Sequence, residues 1–161
     1  MPARGRRIPA HAGTLAPYDA RHVGFRPRAM SKLDPQRARK LATRAWQAVS
    51  KGDAATLESL YSEDIVWHVS GRGPRAGDHR GRDAVLGYLA SVGEQAERFD
   101  ASLEDVLIGE ERLAFIMRAN GSREGRSLDA TYVVMLRLDG GRVAEVWSTA
   151  FDQYAVDAFW A

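Results

Sequence analysis

The feature that most constrains the fold is a change in hydrophobic period near Phe99. Before this residue, apolar side chains recur at spacings of three and four, which is typical of amphipathic helices. After it they alternate, which is typical of strands with one buried face. Short turns and one longer polar loop, "GSREGRS" at 121–127, separate four such segments. The last turn, "DGG" at 139–141, offers glycines for the positive φ of a tight hairpin. Strands joined by short turns pair antiparallel, so the sequence predicts an α+β fold with helices against one antiparallel sheet.

The half of the chain before Phe99 predicts three helices and one strand. Asp34 and Pro35 form an N-cap followed by proline at the first helical position. The segment "KGD" at 51–53 ends this helix and begins the second, and a third begins at Asp83. Between them, "DIVWHVS" (64–70) alternates as a strand does, and residues 71–81 are predicted to be a loop.

The charge of the chain is unevenly distributed. Residues 1–29 contribute +5 to a net charge of +2, so the remaining residues carry −3 and give no electrostatic case for binding nucleic acid. No apolar run reaches the roughly 18 residues that a membrane span requires. The chain contains 0 cysteines, which excludes disulfide and thiolate chemistry and suits the reducing cytoplasm where we expect the protein to reside.

Residues 1–32 are predicted to form a disordered basic tail, and residues 33–161 a single domain. Four of the 6 prolines fall within the first 27 residues, which argues against a helix there. Composition changes at Met30, which suggests that the natural product starts at this methionine and that the tail is an upstream extension of the reading frame.

A family resemblance adds detail to the expected architecture. The segments that carry it are "SKGD", "LESLYSEDIVWHVSG", "GDHRGRDAVLGYL", "LDGGRVAEVWS" and "FDQYAVDAFW". Their order and spacing over residues 33–161 resemble the SnoaL-like branch of the superfamily that includes ketosteroid isomerase and nuclear transport factor 2. The resemblance implies a cone-shaped, curved antiparallel sheet wrapped around three N-terminal helices, the nuclear transport factor 2-like or cystatin-like fold. It also implies a pocket inside the cone and a homodimer formed through the outer face of the sheet.

Two residues are candidates for catalysis. The resemblance places His68 near the strand position where ketosteroid isomerases keep their base, and a pKa of about 6.5 suits histidine to proton transfer. Ligand contact and a structural hydrogen bond are the alternative roles. The resemblance to SnoaL-like cyclases makes Asp152, soon after the last strand, a general acid or base. Capping of the terminal segment "QYAVDAFW" is its alternative role.

Other residues are candidates for binding a substrate. Glu145 and Trp147 share a strand face and would give an apolar pocket one polar contact. Tyr132 would donate a hydrogen bond to a developing oxyanion. Core positions explain these side chains equally well. The full set of predicted substrate-binding residues is Trp67, Tyr132, Glu145, Trp147 and Arg118.

Arg118 has two interpretations. Epoxide hydrolases of the superfamily use an Asp–Arg–Asp set, which Asp129, Arg118 and Asp152 would imitate. The simpler interpretation is a surface ion pair between Arg118 and Asp129 on neighbouring strands.

The loop after the first strand does not predict a phosphate site. Its segment "GRGPRAGDHRG" fits neither the P-loop nor the dinucleotide-binding glycine pattern, so we interpret it as a pocket rim whose arginines face water. We predict no metal and no cofactor.

The predicted function is binding of a small molecule, with cofactor-independent acid/base catalysis of the isomerase, cyclase or hydratase type on an apolar cyclic substrate. A non-catalytic ligand-binding or dimerisation module is the alternative function. Superfamily members perform both kinds of role, so the fold alone does not decide between them.

Overall fold

The computed structural model of the protein describes residues 34–109 and 111–161, and within these residues it contains four helices and a six-stranded sheet. The helices are α1 (Pro35–Lys51), α2 (Ala54–Leu60), α3 (Arg82–Gln95) and α4 (Gln153–Trp160). The strands are β1 (Tyr61–Val69), β2 (Gly77–Arg80), β3 (Arg98–Ile108), β4 (Arg112–Arg123), β5 (Arg126–Asp139) and β6 (Arg142–Ala150). The predicted tail at 1–32 and the predicted start at Met30 lie outside the described residues.

The first two helices begin where the capping residues predict. The carboxylate of Asp34 accepts the backbone N–H groups of Gln36 and Arg37 at the start of α1, and Asp53 caps α2 in the same way. Helix α1 ends at Gly52, whose φ of 64° is left-handed. None of the helices in the described residues is long and apolar enough to cross a membrane.

The sheet has the order β2-β1-β6-β5-β4-β3. Strands β3 to β6 form the predicted antiparallel meander, whereas β1 pairs parallel to β6, so the sheet is mixed. The curved, open sheet with helices packed on it confirms the predicted α+β architecture.

Two segments predicted to be loops contain strand residues. The loop predicted at 71–81 includes β2, which pairs antiparallel to β1. The predicted polar loop "GSREGRS" is mostly strand, because β4 and β5 continue to a turn at Glu124 and Gly125. These two residues have φ values of 48° and 75°, the left-handed values of a tight hairpin.

The helices cover one face of the sheet, which we call the inner face. Trp67, Phe115, Leu136 and Val146 lie on this face and are buried in the core with the alanines of α1. We call the opposite side the outer face. Because successive strand residues point to opposite faces, the outer face carries the neighbours of these residues in sequence.

Candidate functional site

A cavity of about 40 Å³ lies between the inner face, α3, α4 and the loop at 70–76. A water needs on the order of 10–15 Å³, so this space suits a few waters or a small polar group and is too narrow for a hydrocarbon ring. The residues that line it are Val69, Ser70, Gly73, Arg75, Ala76, Tyr88, Tyr132, Ser148, Gln153, Val156, Asp157 and Trp160.

Two tyrosines line the cavity. Burial, with a smaller contribution from the nearby Tyr88, raises the pKa of Tyr132 to about 12. Burial also raises the pKa of Tyr88, against the opposing effect of the Arg75 charge. Both phenols are therefore protonated at neutral pH and can donate a hydrogen bond to a bound molecule.

Arg75 reaches the cavity from the loop at 70–76. The central carbon of its guanidinium lies over two aromatic rings, 4.8 Å from the centre of Tyr88 and 4.4 Å from that of Trp160. It donates hydrogen bonds of 3.0 Å to the backbone carbonyl of Tyr88 and to Oε1 of Gln95. The interpretation that the loop arginines face water is therefore wrong for Arg75.

Asp157 of α4 fastens this loop over the cavity. Its carboxylate accepts the backbone N–H of Arg72 at 2.9 Å and the side-chain amide of Gln153 at 3.2 Å. The bond from Arg72 holds the pKa of Asp157 below its ordinary value, so the group is ionised at neutral pH. A Cβ atom on Gly71 would clash with this carboxylate, and Gly71 has a φ of 113°, so both features require glycine there.

Trp67 supports the wall of the cavity from behind. Its Nε1–H donates a 2.9 Å hydrogen bond to Oγ of Ser148, and Ser148 lines the cavity. The indole also packs against the ring of Tyr88 at 5.8 Å between centres. The predicted binding residue Trp67 is thus a buried neighbour of the cavity, while Tyr132 lines it directly.

His68 lies on the outer face, on the opposite side of the sheet from the cavity. Its Nδ1 is 2.6 Å from Oδ1 of Asp78, and its Nε2 is 3.1 Å from Oε1 of Glu145. Its ring stacks on Trp147 at 5.4 Å, and Arg137 donates a 2.9 Å hydrogen bond to Glu145. Strand alternation accounts for this placement, since Trp67 faces the core and its neighbour must face away.

The outer-face cluster of Asp78, His68, Glu145 and Trp147 does not support the predicted catalytic role of His68, nor the predicted pocket contacts of Glu145 and Trp147. Both ring nitrogens of His68 are occupied by the carboxylates of Asp78 and Glu145, so neither is directed at the cavity. The bond from His68 holds the pKa of Asp78 below its ordinary value. Within the part of the chain that the structure describes, no group of three side chains is arranged to hold a metal ion.

Asp152 and Arg118 also lie apart from the cavity lining. The carboxylate of Asp152 accepts the backbone N–H of Ala155 and caps α4, which is the alternative role expected for it. Arg118 forms a two-pronged ion pair with Asp129 across β4 and β5, with distances of 2.7 and 2.6 Å. In the described residues no contact joins Asp152 to this exposed pair, so the Asp–Arg–Asp arrangement of an epoxide hydrolase is not assembled.

Several cavity residues were not recognised in the sequence. Ser148 shares a face with buried Val146, so the strand alternation could have indicated that its hydroxyl points inward. Tyr88 lies three residues after buried Val85 on α3, a helical spacing that could have indicated the same. The burial of Arg75 could not be predicted, because residues in a loop follow no hydrophobic periodicity.

Comparisons with known proteins identify relatives of the chain. The sequence profile of the SnoaL-like domain family matches residues 42–146. An uncharacterised protein of Mycobacterium tuberculosis is 30% identical over 123 residues, which cover 75% of this chain and 94% of the relative.

Solved structures are similar over about three quarters or more of the chain. Bal32a, from a soil-derived mobile gene cassette, is 32% identical with a TM-score of 0.75, over 78% of this chain and 98% of that one. A nuclear transport factor 2-like protein of Burkholderia xenovorans is 23% identical with a TM-score of 0.69, over 82% and 99% of the two chains. IdmH of Streptomyces antibioticus, a proposed polyketide cyclase, is 22% identical with a TM-score of 0.60, over 73% and 93%. These similarities confirm the predicted nuclear transport factor 2-like fold.

Proposed function

The chain belongs to the SnoaL-like domain family, and we propose that it binds a small organic molecule with oxygen acceptors in the inner-face cavity. The observation that carries this proposal is the convergence of Tyr132, Tyr88 and Arg75 on one cavity. Their groups are hydrogen-bond donors, whereas Val69 and Val156 provide apolar walls. A few fixed polar groups in an apolar lining are the usual composition of a small-molecule site.

Cofactor-independent proton transfer, of the isomerase or cyclase kind, is the activity that this arrangement supports. The hydroxyl of Tyr132 would donate a hydrogen bond to a carbonyl oxygen that becomes an oxyanion. Asp157 places an ionised carboxylate on the cavity wall, which would take the proton from a C–H bond that an adjacent carbonyl acidifies and return it to another atom of the same molecule. The description of IdmH as a proposed polyketide cyclase agrees with this kind of chemistry.

An apolar cyclic substrate requires more room than the cavity provides. The loop at 70–76 is held over it by Asp157 and by the stacking of Arg75, so binding of a ring requires this loop to move outward. Opening of a loop at the entrance commonly accompanies ligand binding in enzymes that exclude water from the site.

Non-catalytic binding of the same molecule is the second candidate function. The observation that favours it is that His68 and Asp152, the predicted acid/base pair, both lie outside the cavity lining. The two functions share the site and differ only in whether the bound molecule is converted.

The proposal is tested by ligand binding to two variants. Steroids, aromatic polyketides and terpene epoxides are screened by thermal shift, because a bound ligand raises the melting temperature by mass action. We expect Tyr132→Phe to weaken the affinity for a hit by about 5-fold to 10-fold, the effect of one lost hydrogen bond. The control His68→Ala should leave the affinity unchanged. If His68→Ala weakens the affinity and Tyr132→Phe leaves it unchanged, the site lies on the outer face instead.

Turnover separates the two candidate functions. Each hit is incubated with the protein and then recovered. Recovery of an isomer or a cyclised product supports catalysis if Asp157→Asn lowers the rate at which that product forms. A hit recovered unchanged at stoichiometric protein supports binding alone.

A further inference from the structure

We propose that the molecule bound in the inner-face cavity carries a carboxylate, and that Arg75 is the residue that binds it. The inference rests on the proposed function and names the substrate class of the same site. Three features support the inference: the contacts of the Arg75 guanidinium, its lack of an acidic partner in the described residues, and the size of the cavity beside it.

Two aromatic rings hold the Arg75 guanidinium at the cavity, with its central carbon 4.8 Å from the centre of Tyr88 and 4.4 Å from that of Trp160. Such contacts use the π face of each ring and do not consume the N–H donors of the guanidinium. A guanidinium has five N–H donors, and the two hydrogen bonds found, to a backbone carbonyl and to an amide oxygen, use neutral acceptors. Such a planar fork matches the two oxygens of a carboxylate.

Arg75 has no acidic partner among residues 34–109 and 111–161. Asp157 is the acid that lines the same cavity, but its oxygens accept hydrogen bonds from Arg72 and Gln153. The half-buried Arg137 on the outer face, by contrast, pairs with Glu145 at 2.9 Å. A partly buried charge without a counter-charge is unfavourable, and an anionic ligand would supply the missing partner.

The other groups at the cavity fit the same ligand. The space of about 40 Å³ beside Arg75 suits a group of a few atoms, such as a carboxylate. Tyr88 and Tyr132 line the same cavity as Arg75, so their hydroxyls are further hydrogen-bond donors for an anionic group bound there. Val156 and Trp160 would contact the apolar remainder of the molecule once the loop opens.

The test measures the preference for a carboxylate over the matched neutral amide. Benzoate, 2-naphthoate and cyclohexanecarboxylate are each titrated against benzamide, 2-naphthamide and cyclohexanecarboxamide by calorimetry, with the wild-type chain, Arg75→Gln and Arg72→Gln. Arg72 is an exposed arginine of the same loop whose bond to Asp157 uses its backbone N–H, so the substitution is a charge-matched control. Thermal unfolding checks that each variant folds.

The expected result is that the wild-type chain and Arg72→Gln bind the carboxylates about 10-fold to 100-fold more tightly than the amides, as a charge-assisted pair predicts, and that Arg75→Gln loses this preference. Equal affinity for acid and amide in the wild-type chain would overturn the inference while leaving binding at the cavity intact. A preference that persists in Arg75→Gln, or that Arg72→Gln also abolishes, would overturn it as well. If no member of any pair binds, both the inference and the proposed site fail for compounds of this size.

Discussion

At the scale of single residues, the hydroxyl of Ser148 connects the core to the cavity. Trp67 is almost fully buried, and a buried indole N–H requires an acceptor. Ser148 on the neighbouring strand β6 supplies it at 2.9 Å while its own position lines the cavity. One hydroxyl therefore fixes the orientation of the indole against which Tyr88 packs.

We predict that Ser148→Ala destabilises the protein by about 1–3 kcal/mol, because the indole N–H of Trp67 is left buried without an acceptor. The control is Ser127→Ala, at an exposed position near the hairpin end of β5, which should change the stability by less than about 0.5 kcal/mol. Urea denaturation of the two variants measures both effects. Equal stability of the two variants would mean that the bond does not support the cavity wall.

At the scale of elements, α4 is the part that closes the site. Its Phe159 and Trp160 are buried against β4 and β5, and its Asp157 holds the loop at 70–76. Gly121 on β4 allows this approach, since a Cβ atom there would lie 3.0 Å from the carbonyl oxygen of Arg98 and 3.1 Å from the ring of Phe159. The helix thus depends on a small residue beneath it and on one carboxylate at its edge.

Gly121→Ala is predicted to lower the free energy of unfolding by about 1–3 kcal/mol through overpacking beneath Phe159. The matched control is Gly87→Ala in α3, where a Cβ atom meets nothing within 4 Å and the better helix propensity should stabilise the protein by about 0.5–1 kcal/mol. The midpoints of guanidinium denaturation should therefore move in opposite directions. A shift of both midpoints in the same direction would contradict the packing described for α4.

The attachment of the loop to α4 is predicted to depend on pH through Asp157. Its pKa is below the ordinary value of 3.8, so its contribution is complete above pH 3.8 and is lost as the pH falls through the lower folded-state value. At neutral pH the backbone N–H of Arg72 should exchange with deuterium faster in Asp157→Asn than in the wild-type chain. In acid, once the wild-type carboxyl is protonated, this difference should shrink.

Hydrogen-exchange mass spectrometry or NMR reads out the Arg72 amide. The control Asp83→Asn removes an exposed acid from the first turn of α3 and should leave this amide unchanged. Identical exchange at Arg72 in the wild-type chain and in Asp157→Asn would show that the carboxylate does not hold the loop.

Much of the element order follows from the sequence, because caps and periodicity are local signals. Asp34, Pro35 and Gly52 mark the ends of α1, and the two-residue turn at 140–141 joins β5 to β6 as predicted. Strand β2 was not predicted, since its four residues depend on pairing with β1 rather than on their own propensity. The alternation of β1 predicts that Trp67 and His68 face opposite ways, but which of them faces the cavity depends on where the helices pack.

At the scale of the whole molecule, the outer face of the sheet carries apolar side chains that no helix of the described chain covers. Ile116, Val133, Met135 and Trp147 lie on this face by strand alternation and are half-buried, and Leu107 is 52% exposed. We propose that a second copy of the chain covers this face, as the family resemblance suggests. Neighbouring apolar side chains at a surface are the usual centre of an interaction site with a polar rim.

We predict that the protein sediments at twice the 17.8 kDa of one chain and that Val133→Arg converts it to the monomer, because an unpaired charge at the centre of an apolar interface is unfavourable. The control Ala90→Arg places the same charge on an exposed position of α3 and should leave the mass unchanged. Analytical ultracentrifugation measures all three proteins. A monomeric wild-type chain, or a dimer that survives Val133→Arg, would reject the outer face as the interface.

The proposed function requires that ligands bind on the inner face of the sheet and not at the cluster around His68. The chain has 4 tryptophans, and their indole N–H resonances report on separate regions: Trp160 lines the cavity, Trp67 stands behind Ser148, Trp147 stacks on His68, and Trp46 lies on α1. Single Trp→Phe variants assign the four resonances in a ¹H–¹⁵N spectrum.

The most direct measurement is a titration of this spectrum with the compound that most raises the melting temperature. The inner-face site predicts that the resonances of Trp160 and Trp67 shift with the ligand, while those of Trp147 and Trp46 stay in place. A shift of Trp147 with Trp160 unchanged would contradict it and would return the site to His68 on the outer face.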